Sequence, residues 1–87
     1  MKEQPRFISR AKETYEFHRS KRIEDNRWTV AQTARTLRRS LGSISEDLLI
    51  ARWCRSHEAQ LEKFSYAYEA LEFIREKQKE EELKDVD

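Results

Sequence analysis

Residues 28–51 read WTVAQTARTLRRSLGSISEDLLIA, and the spacing inside this stretch decides the fold. Val30, Ala34, Leu37 and Leu41 fall at i, i+4, i+7 and i+11, one stripe of an amphipathic helix that Thr29 is placed to cap. Gln32, Arg35 and Arg39 then gather on the opposite side at 100° per residue. Gly42, the single glycine of the chain, stands just past the last apolar position and is predicted to end that helix in the left-handed conformation. Ser43, Ile44, Ser45 and Glu46 fit a capping box, so a further helix is predicted to start at Ser43 or at Ser45. Along it Ile44, Leu48 and Ala51 line one side while Leu49, Ile50 and Trp53 spread apolar surface over the others. Only its leading turn is polar enough to meet a ligand.

The flanks extend the same pattern. On the N-terminal side Phe7, Ile8, Ala11, Tyr15 and His18 predict a helix over 7–24, after a short flexible tail at 1–6 marked by Pro5 and before a turn at Asp25 and Asn26. On the C-terminal side Leu61, Phe64, Tyr68 and Leu71, with Ala67, Ala70 and Ile74 beside them, predict one long amphipathic helix from about Glu58 to Leu83. The end at 80–87 is acidic and has no apolar face. One glycine and one proline are too little punctuation for strands and their turns. The expected fold is all-α: a single four-helix domain over 7–79, with a central helix-turn-helix at about 29–56 and a long C-terminal amphipathic helix.

Composition narrows the function. Eighty-seven residues allow one small core, which excludes large enzymes. With 40% charged residues and no long apolar run, no membrane span is expected, and no apolar stretch follows Met1, Lys2 and Glu3 to act as a secretory signal. A cytoplasmic location is the expectation. The net charge of +1 hides an uneven distribution: residues 1–26 carry +2, residues 27–57 carry +4 and residues 58–87 carry −5. All six cations of the middle segment are arginines, the side chain whose fork suits phosphates and base edges.

Chemistry at a catalytic centre finds little support. Cys54 and His57 share a helix face, but two ligands without a second pair do not close a zinc site, and no orienting Asn or Asp pattern accompanies them for nucleophilic catalysis. There is no Ser-His-Asp set, no paired catalytic carboxylates and no phosphate-cradling loop. The expectation is a protein without enzymatic activity, metal or cofactor.

The central stretch resembles the helix-turn-helix DNA-binding superfamily, in particular small phage and plasmid regulators, in Ala34, Gly42, Ile44, Ser45 and the following Leu48 or Leu49. Ala34 and Gly42 are eight residues apart where the usual motif has about four, which reads as one added turn on the first helix. The resemblance implies double-stranded DNA as the partner and transcription regulation as the role. A helix of about 10–12 Å diameter fits a major groove about 12 Å wide. Ser43, Ser45 and Glu46 would then face the bases, with Glu46 either closing the cap or accepting from cytosine N4. Thr29, Gln32, Arg35, Arg38 and Arg39 would meet phosphates and set the register. Leu61, Phe64, Tyr68 and Leu71 are the expected oligomerisation surface, pairing two copies through the C-terminal helix. Two other roles fit the same sequence: a helical protein–protein interaction module, and DNA-packaging recognition of the small-terminase type.

Overall fold

Four helices form over residues 4–84, the part of the chain described by the computed structural model, with side chains described through Glu82. They are α1 (Arg6–Glu24), α2 (Val30–Leu37), α3 (Leu41–Leu61) and α4 (Ala67–Lys84). Residues 1–3 and 85–87 lie outside the described part, so the tails expected at 1–6 and 80–87 are placed only where they adjoin the helices. Gln4 donates from Nε2 to Glu58 Oε1 at 2.7 Å, Arg6 already belongs to α1, and residues 80–84 continue α4.

The α1 stripe places Phe7, Ile8, Ala11 and Thr14 inside, with Tyr15 half-buried at its edge. Facing them are Ile50, Ala51 and Cys54 of α3, and Leu61, Ala70, Leu71 and Ile74 complete the cluster. Helix α3 is the common wall, since α1, α2 and α4 all pack on it. Burying these side chains is the main favourable contribution to folding, about 25 cal/mol per Å² of apolar surface removed from water. Cys54 is 5% exposed in this wall and forms no disulfide, and burial pushes its thiol up from the usual cysteine range.

The turn between α2 and α3 differs from the expectation. Helix α2 stops at Leu37, and the left-handed residue is Arg38, at φ 57° and ψ 45°, while Gly42 lies inside α3 with no positive φ. Arg38 N–H donates to Arg35 C=O at 3.3 Å and Arg39 N–H to Ala34 C=O at 2.9 Å, the paired bonds of a Schellman stop. Three residues, 38–40, make the whole connection. Ser40 rather than Ser43 or Ser45 caps α3, its hydroxyl accepting from Ser43 N–H at 3.1 Å. Leu41 therefore leaves the α2 seam and stands 55% exposed at the start of α3. A non-glycine residue in the left-handed region costs about 1–2 kcal/mol. Glycine there gives up part of that gain to its freer unfolded chain. Arg38→Gly is thus expected to stabilise the domain by about 0.5–1 kcal/mol, read as a rise of a few degrees in the thermal midpoint.

The long C-terminal helix is also divided. Helix α3 runs on through a non-helical residue, His57 (φ −130°, ψ 24°), to Leu61, and residues 62–66 turn the chain before α4 starts. Tyr66 N–H donates to Glu69 Oε1 at 3.2 Å, closing the first turn of α4. An unbroken helix of roughly 25 residues would extend about 38 Å and carry Leu71 and Ile74 away from the core. Reversal lets both pack. His57 then lies against Phe73, ring centroids 6.1 Å apart, and Phe64 against Phe73 at 5.8 Å.

Candidate nucleic-acid interface

The leading face of α3 is open. Leu41, Gly42, Ser45 and Glu46 are exposed over its first two turns, while Ile44, Asp47, Ile50 and Ala51 on the opposite side are buried. Among the described residues Glu46 has no ion-pair or hydrogen-bond partner on its side chain, so it does not close a cap. Farther back, Leu49, Arg52, Trp53, Ser56 and His57 share a groove of about 400 Å³ with Gln78 and Glu81 of α4. The acidic part of α4 therefore returns alongside the rear half of this face.

What fixes the face is a buried carboxylate. Asp47 is fully buried, and its Oδ2 receives Arg39 Nη2 at 2.7 Å and the Thr14 hydroxyl at 2.8 Å, while Oδ1 receives Arg10 Nη2 at 3.2 Å. Arg39 Nη1 donates onward to Thr14 Oγ1 at 3.0 Å, and Nη2 also reaches Ser43 Oγ at 2.5 Å. Two side chains from α1 (Arg10 and Thr14), one from the turn (Arg39) and two from α3 (Ser43 and Asp47) are thereby tied at a single point, and among the described residues no buried side-chain polar atom lacks a partner. A buried ion survives only when paired in this way. Arg39, expected at phosphates, is thus spent inside the molecule with its side chain 22% exposed. Ser43, expected at bases, is a half-buried acceptor for it. Asp47 was invisible to motif reading, although it sits in the buried stripe between Ile44 and Ile50, where a lone charge demands a partner.

A second node holds the start of α2. Thr29 caps it reciprocally with Gln32: Gln32 N–H donates to Thr29 Oγ1 at 3.2 Å and Thr29 N–H to Gln32 Oε1 at 2.8 Å. Thr33, fully buried, accepts the Trp28 indole N–H at 2.7 Å, and its hydroxyl lies 2.6 Å from His18 Nδ1 on α1. Because an indole N–H only donates, the threonine proton is left for the unprotonated Nδ1. Burial, and then the charge of Arg22, hold the His18 imidazole below its ordinary value of 6.5. Between the two values the unfolded chain binds more protons than the native one. Stability is therefore fully present above about pH 6.5 and declines as pH falls through the depressed native value. Denaturant midpoints measured between pH 7.5 and 5 are expected to fall over this range, and the decline should flatten in His18→Gln.

The arginines of the middle segment do not form one strip. Arg35 on α2 and Arg38 at the turn are exposed, directly before the leading end of α3, and Arg27 is exposed in the loop before α2. Arg55 instead turns toward α1, stacking on the Tyr15 ring at 5.2 Å, and Arg52 lies in the groove beside α4. Of the expected self-association residues, Leu61 and Leu71 are buried in the chain's own core and Phe64 is half-buried on Phe73. Their apolar surface is consumed by the reversal of α4. Tyr68, 63% exposed and stacked with Tyr66 at 5.7 Å, is the one left open.

No helix among the described residues is long and apolar enough to cross a membrane. Comparison with protein-family models, curated proteins and solved structures gives no match for this chain.

Proposed function

We propose that the chain is a sequence-specific double-stranded DNA-binding protein of the helix-turn-helix type, serving as a small regulator of the phage or mobile-element kind. One observation carries this reading. The left-handed turn residue, Arg38, stands four residues after buried Ala34, the usual interval of the motif, and buried Ile44 follows on a helix whose leading face is uncovered. The open end of α3 is narrow enough for the major groove. Arg35 and Arg38 lie beside it, where they would neutralise phosphates, and Thr29 and Gln32 present the capped start of α2 to the same backbone. Association of two copies, with half-sites about one helical turn apart, extends the proposal.

The experiment is fluorescence anisotropy with random-sequence duplex DNA across a salt series. Log affinity is expected to fall linearly with log salt, and Arg35→Ala with Arg38→Ala to reduce the slope by about two, one for each lost phosphate contact. Binding indifferent to salt and to both substitutions would overturn the proposal.

A further inference from the structure

Resting on that reading of the interface, we propose that α3 recognises its DNA through thymine methyl groups and cytosine amines, with Leu41 and Glu46 as the specificity-determining side chains. The inference comes from what the leading face presents and what it lacks. Between Leu41 and Leu49 the outward positions hold leucine, glycine, serine and glutamate, and the helix has no lysine, arginine, asparagine or glutamine before Arg52. In the major groove guanine is read by the forked donors of arginine or lysine, and adenine by the paired donor and acceptor of asparagine or glutamine. Neither chemistry is available on these two turns. Arg39, the cation closest in sequence to their inner side, is committed to Asp47. Arg52 lies two to three turns back, in the groove it shares with Glu81.

The groups that are available match the other two bases. Leu41 is 55% exposed at the first position of α3, an apolar side chain whose burial needs an apolar partner, and the C5 methyl of thymine is the one such group on the groove floor. Glu46, exposed and without a cation among the described residues, only accepts hydrogen bonds when ionised, and the cytosine N4 amine only donates. Gly42 lies between them on the same face. A Cβ built on it meets nothing within 4 Å, so nothing inside the chain calls for glycine there. Its bare backbone gives α3 a low point beside Leu41, where a base edge can approach the helix closely.

The test begins with selection of binding sites from a random duplex library by the wild-type protein, Leu41→Ala and Glu46→Ala. Both positions are solvent-exposed, and circular dichroism confirms that the variants remain folded. Sites selected by the wild type are expected to carry thymine and cytosine on the strand read by α3. Replacing the key thymine by deoxyuridine, which removes only the methyl group, should weaken wild-type binding about fourfold, the factor for one buried methylene-sized group. It should leave Leu41→Ala unchanged. Glu46→Ala should lose the cytosine preference while binding random duplex more tightly, because a negative charge has left the face. Selected sites read at guanine or adenine, with no response to deoxyuridine, would overturn the inference. Salt-sensitive binding with no site enriched would overturn it too while leaving the interface standing, and no binding to any duplex would overturn both.

Discussion

Asp47→Ala is expected to destabilise the domain by about 3–5 kcal/mol, the cost of breaking a buried ion pair from one side. Two guanidinium groups, Arg10 and Arg39, converge on the carboxylate, and the Thr14 hydroxyl donates to the same oxygen that Arg39 contacts. Removing the carboxylate leaves the mostly buried Arg39 charge uncompensated, while the Thr14 hydroxyl, also 2.9 Å from Arg10 C=O, can donate there instead. The Arg10 side chain is about half exposed and can turn to water, so the larger share of the loss falls on Arg39. Total stability for a domain of this length is about 5–10 kcal/mol, so much of it would be gone. Chemical denaturation followed by circular dichroism gives the number directly. Asp47→Asn keeps the shape and an acceptor oxygen but not the charge, and is expected to fall between the wild type and Asp47→Ala. Equal loss in the two variants would mean that the charge itself contributes nothing.

Ile74→Ala is expected to cost about 2–5 kcal/mol, the range for emptying a fully buried isoleucine site. Ile74 has no exposure, and it anchors α4 on α3 together with Ala70 and Leu71. Between Ile74 and Glu82 the described side chains of α4 are mostly exposed and include no large apolar residue, so none of them replaces the anchor. The loss should appear in the denaturation midpoint, and amide exchange over residues 67–84 should quicken more than over α1. Uniform exchange rates across all four helices would contradict this local attachment.

Helix type, number and most buried faces were legible from periodicity, because apolar residues at three- and four-residue intervals leave few alternatives once glycine and proline are scarce. The positions of the breaks were less legible. Gly42 drew the expected turn to itself because glycine tolerates the left-handed region without cost, whereas the actual turn residue is Arg38, whose side chain gives no such sign. There the Schellman bonds and the Ser40 cap outweigh intrinsic preference. The division at 62–66 escaped for a related reason: Leu61, Phe64, Tyr68 and Leu71 keep helical spacing through a segment that reverses, and only the need to return Leu71 and Ile74 to the core separates the two arrangements. At the candidate site, outward placement of Arg35 agrees with periodicity and that of Ser45 and Glu46 with the polar leading turn, whereas Arg38 is exposed because it is the turn residue. The inward turn of Arg39 does not agree with periodicity, since it depends on Asp47, a partner eight positions away on α3.

The solitary thiol of Cys54 gives the molecule a built-in recorder of its own opening. Its sulfur sits where α1 meets α3, 5% exposed on the floor of a groove lined by Lys12, Tyr15 and Glu58, and is biased toward the less reactive protonated form. Parting of the two helices would uncover it fully, so modification should quicken with every excursion of the central wall, in a chain that offers no other sulfhydryl to confuse the tally.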